Sequence, residues 1–243
     1  MVTKNDVKFI NSLKHKKYRQ LNNCFIVEGK KSIIEFLKSD YQLIKLFSVD
    51  CSFFSKIKNQ VKIENSLLRK ISFLINPDDH VAIFKLNYSK PIDNENLIIA
   101  LDSIRDPGNL GTIIRTCEWF GIKDIICSND SVDCYGPKVI QSAMGSVSRV
   151  NITYLDLIKY LKSSKSKKII TSLNGESIYK YDESFDSGIL VFGNEANGVS
   201  KEFFELMDYN ISIPRFKNNK FPESLNLASS LGIILSEISR KSI

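Results

Sequence analysis

The chain has 243 residues, 43% hydrophobic and 25% charged, with a formal charge of +7, a composition that suits a water-soluble protein with one substantial core or two modest ones. It holds no run of about eighteen apolar residues, and the N-terminus MVTKNDVKFINSLKHKK lacks the apolar stretch and small-residue cleavage site of a signal peptide, so a cytoplasmic protein with no membrane contact is expected. The cysteines, Cys24, Cys51, Cys117, Cys127 and Cys134, are odd in number without a CxxC pair, and His15 and His80 are the only histidines, which favours reduced thiols over disulfides or zinc.

The charge is uneven along the chain. Residues 1 to 90 hold 17 Lys+Arg against 8 Asp+Glu, whereas residues 91 to 243 hold 17 against 19. A polyanion gains from such an excess through counterion release, so the first ninety residues are expected to touch nucleic acid. A lysine-rich genome would also raise the lysine count, but would not unbalance one side alone.

In chain order, FIVEG (25–29) reads as a strand ending in glycine, and KKSIIEFLKS carries Ile33, Ile34, Phe36 and Leu37 at helical spacing. Strand-like runs follow at 43–49 and 80–86, separated by polar helix-like segments, which makes residues 1–90 a small α/β domain. NYSKPIDNEN (87–96), with Pro91, reads as a linker into a second domain spanning 91–243, whose first strand starts at Leu97. Strands are expected at 97–101, 124–128, 149–154, 167–173, 189–193 and 210–214, and helices at 109–120, 137–144, 155–162, 200–207 and 223–240. Alternating βα units with near-continuous apolar strands imply a parallel sheet covered on both faces, with ligands bound at the carboxyl ends of the strands.

Three loops at such ends carry candidate chemistry. In LDSIRDPGNLGTIIRTCEWFG (101–121), Asn109 is placed to cap a helix whose core stripe is Leu110, Ile113, Ile114, Cys117 and Phe120, leaving Arg115 on the opposite face. Only seven residues are arginine, and Arg105 and Arg115 flank this loop; a planar fork suits phosphate or hydroxyl recognition, while solvation alone would be served by lysine. In VFGNEANGVS (191–200), glycines surround Asn194 and Glu195, and Ser200 can cap the next helix; a tight structural loop would look the same, and the string is not the GxGxxG dinucleotide fingerprint. In ISIPRFKNNKFPESLNLASSLGIILSE (211–237), a strand passes Pro214 into a basic loop with Arg215, Lys217 and Lys220, then into a helix beginning near Ser224, with Asn226 in its first turn.

Together, RDPGNLGTIIRT, VFGNEANGVS and ISIPRF...ESLNLASSLGIILSE resemble the three motifs of the SpoU (TrmH-like) RNA 2'-O-ribose methyltransferases of the SPOUT class, and RQLNNCFIVEGKKSIIEFLKS resembles the substrate-binding domain of the rRNA-type members. The resemblance implies an α/β fold in which a small RNA-binding domain precedes a parallel-sheet domain with a deep trefoil knot, a topology that strand patterns alone would not suggest. It implies S-adenosylmethionine as methyl donor without a metal, bound by Leu173, Gly193, Asn194, Glu195, Gly198, Ile213 and Leu225. It implies catalytic roles for Asn109, Arg115, Ser224 and Asn226, with Arg115 holding phosphate and offsetting the developing alkoxide, because a guanidinium does not act as a base. It implies a homodimer whose active site is completed across the interface, acting on structured RNA, with rRNA favoured over tRNA.

Two departures from the family pattern stand out: Ala196 replaces a glycine of the usual GxEGxG, and the loop from Pro214 to Glu223 is longer and more basic than usual. Altered contacts are expected there, with the chemistry retained. The competing expectations are a tRNA methyltransferase, an RNA-binding assembly factor without catalysis, and an unrelated doubly wound nucleotide enzyme. The absence of a GK[ST] phosphate loop disfavours the last.

Overall fold

The computed structural model describes residues 2–181, 185–215 and 224–242; Lys217 and Lys220 of the basic loop lie outside them. The chain begins with α1 (Lys4–Ser12), α2 (Lys16–Asn22), β1 (Cys24–Glu28), α3 (Lys30–Leu37), β2 (Leu43–Ser48), β3 (Gln60–Lys62), α4 (Asn65–Ile71) and β4 (His80–Lys85). It continues through β5 (Leu97–Leu101), α5 (Pro107–Trp119), β6 (Asp124–Ser128), α6 (Pro137–Ala143), β7 (Asn151–Leu155), α7 (Leu157–Ser163), β8 (Lys168–Ser177), β9 (Gly188–Phe192), β10 (Tyr209–Ser212) and α8 (Leu227–Ser242). Among the described residues no helix is long and apolar enough to cross a membrane.

Two compact units emerge. The first comprises residues up to Tyr88 together with Asp133–Arg149, and the second comprises Ser89–Val132 and the chain from Val150 onward. Residues 133–149, which the sequence pattern assigned to the second domain, thus pack with the first.

The first unit is a four-stranded sheet ordered β1-β4-β2-β3, antiparallel except for the β2–β3 pair. Strand alternation divides its side chains between two faces. Cys24, Ile26, Phe47, Val81 and Ile83 meet Ile10 and Leu13 beside α1 and Leu68 and Ile71 of α4. Phe25 and Phe84, paired across the register, turn the other way, where Phe25 meets Phe36 of α3 at 5.5 Å and Tyr135 at 4.6 Å. Segment 133–149 is fastened by polar contacts as well. Arg19, 3% exposed, pairs with Asp133 through Nε and Nη2 and donates from Nη1 to the carbonyls of Leu13 and Lys14 at 2.8 Å, so four of the five N–H donors of a charge removed from water are used. Tyr135 shares a 2.8 Å hydrogen bond with Tyr41, and Arg149 reaches Glu35 at 2.5 Å.

His80 gives this unit a pH dependence. It is 4% exposed, with Nδ1 2.9 Å from Ser48 Oγ and its ring edge-on to Phe54. Burial lowers its pKa, outweighing the opposing pull of Asp78 and Asp79. The unfolded imidazole takes up its proton near pH ~6.5, before the folded one does, so stability is full above that value and declines as pH falls toward the folded pKa. Urea unfolding at pH 7.5 and 5.5 should show this loss in the wild type and a smaller loss in His80→Gln; equal losses would remove His80 as the cause.

The second unit is an all-parallel six-stranded sheet ordered β10-β8-β9-β5-β6-β7. The central strands β5, β6 and β9 are buried throughout, as expected when both faces are covered. One face packs Ile98, Ala100, Ile126, Ile170, Ile189 and Val191 against Leu157 and Leu161 of α7 and Phe203. Helices α5 and α8 pack on each other, with Gly232 facing Thr116. Strand order reverses between β9 and β5, so the loops leaving these strands diverge and leave a crevice at their carboxyl ends.

Three local expectations need correction. The helix expected over 200–207 is a single 3-10 turn, Lys201–Phe203, because the Ser200 hydroxyl and N–H both donate to Asp102 at 2.7 and 2.9 Å and the hydroxyl is not available as a cap. The helix expected from 223 begins at Leu227, and Asn226 precedes it as its cap, accepting from Ser229 N at 3.2 Å. The strand expected over 167–173 runs on to Ser177, because β10 pairs with its far half after a register break at Asn210/Ile211.

Candidate active site

The site is built from the loops that leave β5 and β9 and from the start of α8. Beyond β5, Asp102 is 4% exposed, and its carboxylate accepts from the N–H and the hydroxyl of Ser200. Ser103 adopts φ 58°, donates its N–H to Ser128 and its hydroxyl to Asp130, and thereby turns the chain outward. Arg105 is then held by Asp130, with Nη1 2.9 Å from the carbonyl and Nη2 2.7 Å from the carboxylate. Hydrogen bonding from Ser128, then from Ser103, together with the Arg105 charge, holds the Asp130 carboxyl below its ordinary pKa.

Helix α5 starts with Pro107, and its cap is Asp106, which accepts from Asn109 N at 2.7 Å. This corrects the expectation for Asn109, which sits inside the first turn with its side chain free for other work. The Asp-Pro pair at the helix start is the sequence signal that could have identified the cap.

Beyond β9, the chain passes Gly193 into a closed loop in which Asn194 and Gly198 exchange backbone hydrogen bonds of 2.8 and 2.9 Å. The Asn194 side chain accepts from Ala196 N and Asn197 N and donates to Ser103 O at 2.7 Å, joining this loop to the first. A Cβ on Gly193 would fall within the backbone of Gly198 and Val199, and Gly198 has φ +70°. Both glycines are therefore demanded by loop closure. Ala196 is absent from the residues with positive φ, which explains why the family glycine is dispensable here. Gly193→Ala should lower the thermal midpoint by roughly 5–10 °C, whereas Ala196→Gly should move it little; thermal melts of the two variants compare them directly.

Glu195 is the hub. Its carboxylate accepts from the N–H groups of Arg105 and Asp106, each at 3.3 Å, and from Asn109 Nδ2 at 3.1 Å. Because Asn109 turns its amide nitrogen toward Glu195, its oxygen faces the other way and accepts from Asn226 Nδ2 at 2.9 Å. Asn226 Oδ1 in turn caps α8, so each amide in the series has one permitted orientation. Arg105, Asp106, Asn109, Asn194, Glu195, Ala196 and Asn226 line an open cleft of about 520 Å³. A second depression, about 370 Å³ and bordered by Asp102, Asp130 and Asp156, offers less, because those carboxylates already serve Ser200, Arg105 and Lys159 N. Among the described residues no group of three or more His, Cys, Asp or Glu side chains is arranged to hold a metal.

Of the residues singled out in the sequence, Asn109, Asn194, Glu195 and Asn226 therefore meet in one cleft. Ser224 and Leu225 lie just before Asn226, both exposed, Leu225 at 48%. Leu173, 69% exposed, continues β8 past its ladder with β9, and Ile213 directly follows β10, so each stands on a strand, or just after one, on the same side of the sheet's centre as β9. Arg115 does not reach the cleft: six residues after Asn109, it lies about 240° around α5 and ~9 Å along it. It is exposed and makes no ion pair among the described residues. The pairings Asp102–Ser200 and Arg105–Asp130 went unseen in the sequence, which carries no signal for contacts between carboxylates and distant loops.

Comparison with known proteins identifies the relatives of the chain. The profile of the SpoU rRNA Methylase family matches residues 96–236, and that of the MRM3-like substrate binding domain matches residues 4–82. The chain is 27% identical to the 23S rRNA (guanosine(2553)-2'-O)-methyltransferase RlmP of Bacillus subtilis, over 94% of each protein. A TrmH-family structure from Porphyromonas gingivalis superposes with a TM-score of 0.89 at 32% identity, covering 99% of each chain. An AdoMet-bound rRNA methyltransferase from Sinorhizobium meliloti gives 0.88 at 28% identity, covering 100% of this chain and 97% of that one.

Proposed function

The chain belongs to the SpoU rRNA Methylase family, and on that premise we propose that it transfers the methyl group of S-adenosylmethionine to a ribose 2'-hydroxyl of ribosomal RNA in the cytoplasm. The observation that carries this reading is the hydrogen-bonded series Glu195–Asn109–Asn226, which joins all three motif loops around one cleft. The rRNA substrates of the relatives, the matched substrate-binding domain and the basic excess of the first ninety residues support rRNA over tRNA. The deep trefoil knot belongs to the same reading and rests on the family match.

The residues present fit the cofactor. Leu173 and Leu225 leave apolar surface exposed, half-buried Ile213 directly follows β10, and the 193–198 loop presents polar backbone. These would hold the adenosine and the amino acid tail, with Asn194, Glu195 and Gly198 keeping the loop wall in shape. S-adenosylmethionine, when bound, supplies an electrophilic methyl group on a sulfonium.

The protein's own task is to hold the ribose oxygen in line and to lower the cost of its developing charge. Glu195 fixes Asn109, and Asn109 fixes Asn226 with a donor N–H on the cleft, suited to an oxygen that gains negative charge. Ser224, two residues away, orients the hydroxyl. As the ribose oxygen takes the methyl carbon, whose bond to the sulfonium would break to leave a neutral thioether, the hydroxyl proton would pass to water in the open cleft. Arg115, always cationic, binds the target phosphate and offsets the charge.

Arg115 reaches a cleft in trans, in a homodimer. The exposed stripe Thr112, Arg115 and Trp119 on α5 is the surface for a second copy; Trp119 is 86% exposed, and Ile233 of the neighbouring α8 is 36% exposed. An isologous contact there would cover the tryptophan and deliver each Arg115 to the other cleft.

Incubation with methyl-labelled S-adenosylmethionine and unmodified 23S rRNA or tRNA transcripts, in parallel, tests the proposal. Label in rRNA is expected. Label in tRNA alone would overturn the substrate, and label in neither, with the cofactor bound, would revive the RNA-binding factor without catalysis.

A further inference from the structure

The first unit carries a strip on α2 that nothing within the unit accounts for. Helix α2 buries Arg19 alone, and Lys14, His15, Lys16, Lys17, Tyr18, Gln20 and Leu21 are exposed around it. Lys17, Tyr18 and Leu21 stand at i, i+1 and i+4 and so share one face, with Tyr18 40% and Leu21 74% exposed. Lys17 Nζ lies 6.0 Å from the Tyr18 ring centroid, and His15 is edge-on to the same ring at 6.5 Å. No acidic residue occurs between Val7 and Val27, so Lys14 and Lys17 have no carboxylate near them in sequence.

An exposed helix that buries one residue would ordinarily fray. This one is clamped at its start, because Arg19 binds back to the carbonyls of Leu13 and Lys14 while pairing with Asp133. The lysines, tyrosine and leucine are therefore presented on a fixed backbone, and less entropy is lost when a ligand orders them. Apolar side chains left in water next to exposed lysines suit a ligand with both planar apolar faces and regularly spaced anions. Single-stranded nucleic acid has that chemistry, with bases stacking on aromatic rings and phosphates meeting lysines.

Resting on the rRNA reading above, we propose that Tyr18 and Leu21 form a stacking platform for an unpaired base of the substrate RNA, and that Lys14 and Lys17 hold the flanking phosphates. This strip is where the first unit grips a loop or bulge of the substrate. It decides affinity and register and leaves the chemistry to the second unit.

The test measures binding of an unmodified 23S rRNA transcript by fluorescence anisotropy across a salt series, for the wild type, Tyr18→Ala, Tyr18→Phe, the pair Lys14→Ala with Lys17→Ala, and the control pair Lys56→Ala with Lys58→Ala. Tyr18→Ala should weaken binding about five- to a hundredfold, and Tyr18→Phe, which keeps the ring, should restore most of it. The Lys14/Lys17 pair should reduce the magnitude of the slope of log affinity against log salt by about 1.5–2, and the control pair by clearly less. S-adenosylmethionine binding and the far-UV circular dichroism spectrum should be unchanged in all, which separates lost contact from lost folding. If the wild type binds and methylates the RNA while the α2 variants match it in affinity and slope, the strip is not the contact. Equal slope changes in both lysine pairs would overturn it too, since the effect would then be one of net charge. Failure of the wild type to bind RNA would instead overturn the rRNA reading and this inference with it.

Discussion

Replacing Arg115 by alanine is expected to lower methyl transfer by about 10²–10³-fold while leaving S-adenosylmethionine affinity within about twofold, the signature of a lost charge-stabilising donor. The magnitude follows from chemistry, since no other unpaired guanidinium stands on α5, and Arg105 is committed to Asp130. Lysine at the same position should recover little, because a point charge does not reproduce a planar fork on phosphate. The geometry adds a sharper expectation. Arg115 lies on the side of α5 away from its own cleft, so a mixture of inactive Arg115→Ala and inactive Asn226→Ala chains should regain activity: each mixed dimer contains one cleft with both residues intact. If Arg115 served its own cleft, every site in the mixed dimer would lack one of the two, and mixing would restore nothing. Trp119, the sole tryptophan, gives an optical control, because its emission should shift to the blue as dimers form and the exposed ring is covered.

Glu195→Gln should cost about 10²-fold in turnover with a modest change in thermal stability. The carboxylate is acceptor-only and receives three donors, two of them backbone N–H groups that have no other partner in the turn. A glutamine keeps the size but sets an NH₂ against at least one of those donors, and the turn must shift or an amide must flip. If Asn109 flips, its nitrogen faces the Asn226 nitrogen, and the donor that Asn226 presents to the cleft is turned aside. Displacement of a positioning group by about 1 Å is enough for a loss of this size. Turnover and KM measured together check the assignment: a fall in kcat with KM held marks a group that positions the reacting oxygen, whereas a rise in KM alone would make Glu195 a substrate-binding residue.

Much of this site could be read from the chain because its parts are local. Each loop follows an apolar strand, and the residues that meet in the cleft, Asn109, Asn194, Glu195 and Asn226, all lie in such loops or in the first turn of the helix that follows. What stayed hidden was long-range. Arg19 and Asp133 are 114 positions apart, and nothing in the composition of residues 133–149 says that this segment leaves the parallel sheet to pack beside Phe25 and Tyr41. Helix α2 has no apolar stripe to reveal it, since its one buried residue is an arginine. The identity of a cap was also beyond periodicity: Asp106 and Asn109 are both good caps, and Pro107 at the first helical position settles the choice. Ser200 looked like a helix cap and instead serves the buried Asp102, a demand created by a strand about a hundred residues earlier.

The most direct test of the whole reading is the chemical identity of the product. After reaction with methyl-labelled S-adenosylmethionine, the 23S rRNA transcript is digested to nucleosides and the labelled species is identified by chromatography and mass. Label in a single 2'-O-methylnucleoside, present with the wild type and lost with Arg115→Ala, is the expected result; label on a base would contradict it, because nothing in the Asn109–Asn226 cleft would then be holding the ribose oxygen.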